Sequence, residues 1–136
     1  MELKLSHCFA YVLDQDEALD FYTRVLGLQK RTDAQMEHMR WLTVGPPGQP
    51  ELEINLMAIG PPLPPEDVEP ARQLVAKGSM GALIFRTDHC RAAFERVVAA
   101  GAEVMQEPVE QSYGVIDCAF RDPSGNHIRI GQDLGS

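Results

Sequence analysis

The chain has no long apolar run. Its richest stretch, from Leu52 to Ile59, is interrupted by Glu53 and Asn55 and falls far short of the roughly 20 residues that a spanning helix needs. No membrane partner is expected. Cysteine is scarce: Cys8, Cys90 and Cys118 are odd in number, widely spaced and without CxxC spacing. This argues against a disulfide framework or a structural zinc site and predicts reduced thiols. Positive charge is scarce too, with 12 Lys and Arg against 20 Asp and Glu and a formal net charge of -8. A surface that binds phosphate needs a basic face, so nucleic acid and anionic membranes are disfavoured and a small organic ligand fits better. The opening residues, Met1 to His7, lack the charged region and long apolar stretch of a secretory signal, so the coding start is expected to be the mature start and the location cytoplasmic.

What is present fits one domain. A chain of 136 residues with 44% hydrophobic content can bury one ordinary core, so residues 1–136 are read as a single domain. The clearest punctuation is Gly60-Pro61-Pro62-Leu63-Pro64-Pro65, which permits neither a helix nor a central strand. It separates a first module, 3–58, from a second, 80–133, with a linker and short helix over 59–79, the helix expected at 66–77. In the first module Leu5 to Leu13 reads as a strand. Asp14 can cap a helix through Ala18, Phe21, Tyr22, Val25 and Leu26, and Gly27 ends it. In the second, Ala82 to Thr87 reads as a strand, Asp88 as a cap, Ala92 to Val98 as the helix and Gly101 as its end. A shift of about 74 residues superposes the two sets of signals. Three strand candidates follow each helix: Leu28–Thr32, Met39–Val44 and Leu52–Met57, then Glu103–Glu107, Gly114–Arg121 and His127–Gly131. Turn signals at 45–48 and 122–126 separate them. The order in each half is β-α-β-β-β.

The segments DQDEALDFYTRVLG (14–27) and FRDPSGNHIRI (120–130), in this order and spacing, resemble the vicinal oxygen chelate superfamily, which includes glyoxalase I, extradiol dioxygenases, methylmalonyl-CoA epimerase and bleomycin- and fosfomycin-resistance proteins. The resemblance covers essentially the whole chain. It implies an α+β fold in which the curved mixed sheets of two βαβββ modules form an open barrel around a cavity, and it implies a homodimer. It also implies a divalent metal held on the inner strand faces of both modules. Carried over by position, the ligands would be His7 and Glu53 in the first module, with Ala82 and Arg129 in the second. An alanine has no donor and a guanidinium is cationic, so the ordinary metal site is incomplete and no cofactor is expected. A divalent metal would need His7 and Glu53 plus a replacement such as His127, Asp117, His38 or a partner chain.

Strand alternation puts His7, Phe9 and Tyr11 on one face, Glu53 and Asn55 on the same inner face, and His127 and Arg129 opposite the packed Ile128 and Ile130. His7 is read as a ligand-binding group, a general base or a histidine satisfied by a carboxylate. Glu53 and Arg129 are expected to form an ion pair where a metal would lie, or else to be two solvated side chains. Trp41, Phe9, Tyr11 and Tyr113 are candidates for an aromatic wall suited to a flat ligand, and Asp117 for its polar lining. Asp122 to Asn126 is read as a turn, Cys118 as a buried apolar residue, and Met36, Met39, Met57, Met80 and Met105 as packing residues. Two functions follow. One is a metal-independent protein that binds a metabolite or antibiotic in its cleft. The other is a metal-dependent lyase, isomerase or dioxygenase with a non-standard ligand set, or a metal-free catalyst using His7 or Glu53 as base and Arg129 to stabilise an oxyanion.

Overall fold

In the computed structural model, which describes residues 1–135, the first repeat runs β1 (His7–Val12), α1 (Gln15–Asp20), β2 (Gln29–Gln35), β3 (Arg40–Gly45) and β4 (Glu53–Ala58). Helix α2 (Pro65–Ala76) links it to β5 (Ala82–Arg86), α3 (Cys90–Ala99), β6 (Glu103–Glu110), β7 (Val115–Arg121) and β8 (His127–Asp133). The strands form two four-stranded sheets, ordered β1-β4-β3-β2 and β5-β8-β7-β6. In each sheet the first strand pairs parallel with the last, and the other pairings are antiparallel. This is the α+β duplication that the sequence predicts, and the sheets do not close into a barrel.

Local sequence explains each helix, with two departures from expectation. The Asp14 carboxylate accepts the Glu17 N–H at 2.9 Å and starts α1 as predicted. The helix does not stay α to Leu26. It widens to a π turn over Phe21–Val25, where the Leu26 N–H reaches the Phe21 carbonyl at 3.0 Å. The Thr23 hydroxyl donates to the Leu19 carbonyl at 2.6 Å, competing with the ladder at that point, and the widened turn lets Phe21, Tyr22 and Val25 all bury. Gly27, at φ +78°, then ends the element. In α3 the expected Asp88 cap is absent because the helix begins one residue later, with His89 at the cap position and no side-chain cap bond. Gln132 of β8 does that work across the sheet, accepting the Cys90 N–H at 2.9 Å.

The buried face is shared by both modules: Val12, Tyr22, Leu42 and Leu56 from the first join Cys90, Cys118, Phe120 and Ile128 from the second in one core. The loop after β7 clasps the modules together. Asp122 Oδ1 accepts the N–H groups of Ser124, Gly125 and Asn126 at 2.9–3.0 Å, while Oδ2 accepts the Tyr22 hydroxyl at 2.7 Å and the Asn126 amide at 2.9 Å. From the same loop Ser124 Oγ accepts the Leu13 N–H and Asn126 Nδ2 donates to the Tyr11 carbonyl. Gly125 is required at φ +110°, because a β-carbon there would collide with the Val75 and Ala76 carbonyls at the end of α2. What reads as a turn is therefore the main polar junction of the two repeats.

The outer strands are irregular. Pairing of β2 with β3 shifts register between Lys30 and Thr32, and β6 shifts against β7 between Val104 and Gln106 and again between Gln106 and Val109. Strand β6 also contains Pro108 and runs past the expected Glu107 to Glu110.

Candidate functional site

The side chains that sequence alternation places inward lie on the sheet faces opposite the shared core. On the first sheet, β4 sits between β1 and β3, with Cα partners His7 and Glu53, Phe9 and Asn55, and Thr43 and Asn55. His7 and Glu53 meet there, with Nε2 3.3 Å from Oε2. The other ring nitrogen, Nδ1, lies 2.9 Å from the Ser6 hydroxyl. The other Glu53 oxygen accepts Thr43 Oγ1 at 2.6 Å and Thr32 Oγ1 at 3.2 Å. These hydrogen bonds, Thr43 foremost, together with the nearby His7 and Arg31, hold the carboxyl below its usual range despite its partial burial. Glu53 is thus an oriented carboxylate with a histidine attached. Beside the pair, the Trp41 ring lies 6.2 Å from His7 and 6.1 Å from Phe9, edge-on to the latter. Asn55, register partner of Phe9 and Thr43, is fully buried, and neither amide atom has a hydrogen-bond partner among the described residues.

The second sheet carries a different cluster. Asp117, buried on β7, accepts Gln106 Nε2 at 3.0 Å and Gln111 Nε2 at 2.9 Å, and lies 3.0 Å from Arg129 Nη1. Burial alone would raise its pKa, but the two amides and the guanidinium outweigh that effect and hold the carboxyl low. The Tyr113 hydroxyl lies 3.5 Å from the same carboxylate. His127, at the start of β8, has a buried Nε2 without a partner, and burial first, then Arg129 and Arg121, lower its pKa. A cleft of about 90 Å³ between β1 and β5 is lined by Phe9, Tyr11, Ala82 and His127 among others. A larger groove of about 460 Å³, lined by Cys8, Leu52, Ile54, Leu83 and Phe85, opens nearer the packed core.

Several expectations need correction. Glu53 and Arg129 do not pair: each already holds a partner within its own sheet, His7 and Asp117 respectively. Tyr113 belongs to the Asp117 cluster rather than to the aromatic wall of Phe9 and Trp41. His38 is exposed beside Glu37 and supplies nothing to the site. Met57 packs as expected, but Met36, Met80 and Met105 are exposed. The strand registers also revise the internal correspondence. His7 pairs with Glu53 and Ala82 with His127, while Phe9 pairs with Asn55 and Ile84 with Arg129. Glu53 therefore corresponds to His127, and the place matching Arg129 is held by Asn55. The same offset of about 74 residues that aligns the helices contained this signal. Thr32, Thr43, Gln106 and Gln111, which orient the two carboxylates, were not singled out from sequence. Thr43 was the most visible of them, a lone polar residue between Leu42 and Val44 in a strand.

Residues 4–130 match the Glyoxalase/Bleomycin resistance protein/Dioxygenase superfamily. The chain belongs to this superfamily. Relatives of the superfamily member include YurT, an uncharacterised protein of Bacillus subtilis (strain 168), 32% identical over 90% of this chain and 93% of its own length. Among solved structures, UcmS2 is 41% identical with a TM-score of 0.89, covering 96% of this chain and 98% of that one. TnmS3, an antibiotic binding protein from Streptomyces sp. CB03234, is 30% identical with a TM-score of 0.77, covering 97% of each chain. The metal implied for the superfamily finds a poor donor set in this member. His7 and Glu53 give two donors on one sheet, and their register partners on the other are Ala82 and His127. Among the described residues no three His, Cys, Asp or Glu side chains converge as a metal-binding group. His127 is a third donor among the four positions, but it does not converge with His7 and Glu53 into one group.

Proposed function

We propose that the protein is a metal-independent binder of small amphipathic molecules, metabolites or antibiotics, acting in the cytoplasm as a homodimer. The observation that carries this reading is the His7–Glu53–Trp41–Phe9 cluster. It combines an aromatic surface with an oriented acid and imidazole, on a strand face where Ala82 removes one of the corresponding metal donors. Likeness to TnmS3, itself an antibiotic binding protein, supports it. The Asp117-held guanidinium of Arg129 adds fixed positive charge suited to a carbonyl or anionic group. An acidic chain suits a small soluble partner better than a polyanion, and among the described residues no helix is long and apolar enough to cross a membrane.

Dimerisation is part of the reading because a single chain leaves this face open. Phe9, Ile84 and Tyr113 are 56%, 65% and 69% exposed. A second copy laid on that face would cover them and enclose a ligand between two sheets.

A thermal-shift screen of metabolites and antibiotics tests the proposal. A ligand at about 100 times its Kd should stabilise the fold by about 2.7 kcal/mol. Trp41 is the only tryptophan, so its emission reports occupancy directly. Stoichiometric Fe, Mn, Ni or Zn retained by the protein and lost in His7→Ala would refute the metal-independent reading. The second reading, an enzyme, rests on the 3.3 Å contact of His7 with Glu53, an arrangement suited to proton abstraction. Turnover of a screened ligand, abolished in both His7→Ala and Glu53→Gln, would establish it.

A further inference from the structure

Asn55 is the one side chain on the first sheet face that its own module leaves wholly unanswered. It is 0% exposed, and neither Nδ2 nor Oδ1 has a hydrogen-bond partner among the described residues. Its polar neighbours are committed elsewhere. The Thr43 hydroxyl donates to Glu53 and accepts the Thr32 N–H, and the Glu53 oxygens take Thr43, Thr32 and His7. A buried amide in this condition is costly and needs a function or a partner to account for it.

The cover over the amide is aromatic. Trp41 stands on β3, while Phe9 and His7 stand on β1, with β4 between them. Adjacent strands lie about 4.8 Å apart, so β1 and β3 are about two such spacings apart. Ring centroids only 6.1 and 6.2 Å apart therefore require the rings to lean over β4, above the stretch that holds Glu53 and Asn55. Phe9 is more than half exposed and has room to swing aside.

We infer that Asn55 is a ligand-reading residue, its amide exposed when Phe9 and Trp41 part, and that it selects neutral planar molecules bearing a cis-amide edge such as a lactam, imide or primary carboxamide. This rests on the binding reading above. An asparagine offers one N–H and one carbonyl side by side, and both are satisfied at once only by a group presenting an acceptor and a donor in the same plane. A carboxylate presents acceptors alone, would leave Oδ1 unmet, and would lie close to the ionised Glu53. A flat ring carrying the edge stacks on the indole as it hydrogen-bonds.

The test uses 2-quinolinone, its N-methyl derivative, and flat fused aromatics without an amide, titrated by calorimetry and by Trp41 emission into the intact protein. N-methylation removes the donor and keeps the ring. Wild type should prefer 2-quinolinone over the N-methyl compound by about tenfold or more. Asn55→Leu, close in shape and without polar atoms, should melt no lower than wild type and bind both compounds alike. Equal binding of the two compounds by wild type, or a preference retained in Asn55→Leu, overturns the inference and leaves the binding reading intact. Binding confined to aromatics without an amide does the same. No saturable binding of any probe at millimolar concentration overturns the inference and counts against the cleft itself. The comparison of compounds needs no variant, so poor folding of Asn55→Leu does not remove the test.

Discussion

Replacing Tyr22 by Phe removes one hydroxyl and with it the only side-chain bond, among the described residues, from the first helical segment to the second module's hairpin loop, the 2.7 Å contact with Asp122 Oδ2. The ring stays and the buried volume hardly changes, so the loss is that of a hydrogen bond to a charged acceptor, about 1.5–3 kcal/mol. Asp122 keeps four other donors, which argues for the lower half of that range, about 2 kcal/mol. At about 4 °C per kcal/mol for a chain of this size, Tm should fall by about 8 °C. Asp122→Ala is expected to cost more, about 4–5 kcal/mol, because it strands the Tyr22 hydroxyl and three backbone N–H groups in a buried loop. Urea unfolding of wild type, both single variants and the double variant at one protein concentration would give the coupling energy. The clasp predicts about 2 kcal/mol of coupling, since Tyr22→Phe should cost almost nothing once Asp122 is gone. A Tyr22→Phe variant within about 0.5 kcal/mol of wild type, or additive effects in the double variant, would refute the clasp.

Three further outcomes follow from the clusters described. Burial, with help from Arg129 and Arg121, depresses the pKa of His127, so an unfolded chain protonates it first as pH falls from 6.5. The stability it supports above that pH is lost as pH drops towards its folded pKa, and His127→Gln should flatten the decline; equal slopes in urea-midpoint measurements from pH 7 to 5 would count against it. Cys118 is buried and its thiol is pushed up to about 12, mainly by burial and then by Cys90 only 3.8 Å away. Native iodoacetamide labelling read by mass spectrometry should therefore find Cys8 first and leave Cys90 and Cys118 untouched; early double labelling would show that the core opens. Ile84→Lys places charge in the exposed strip between the two sheets and should yield monomers in sedimentation without a fall in monomer stability, whereas an unchanged oligomer would move the interface elsewhere.

The fold was legible because its signals are local and duplicated. Asp14, Gly27 and Gly101 mark helix ends wherever they occur, and alternation in Glu53-Ile54-Asn55-Leu56 fixes which side chains leave the core. Alternation likewise makes His7, Phe9, Glu53 and Asn55 neighbours on one face, and the β1–β4 register pairs them. Side-chain partners were not legible. Whether Glu53 answers Arg129 or His7 depends on which strands neighbour one another and in what register, and both partners prove to lie within the same sheet. The Asp122 loop is the turn expected, but its partner was not legible for a related reason: an Asp-Pro-Ser-Gly turn has the same local chemistry whether it meets solvent or, as here, the Tyr22 hydroxyl 100 residues away. Alternation puts Asn55 on the same face as Glu53, but its complete burial depends on the neighbouring strands β1 and β3 and could not be read from β4 alone.

The irregular outer strands limit how copies of the chain can meet. An exposed sheet edge invites any other strand to extend it, the usual route to uncontrolled aggregation, and register breaks, proline and charge are what prevent it. Strand β2 offers such an edge with a shift at Lys30 and the charges of Arg31 and Asp33, and β6 with two shifts, Pro108 and the carboxylates of Glu103, Glu107 and Glu110. Continuing either ladder into a neighbour is thereby discouraged. The proposed homodimer would therefore form through the faces of the sheets, where a two-fold contact closes at two copies instead of running on as a filament.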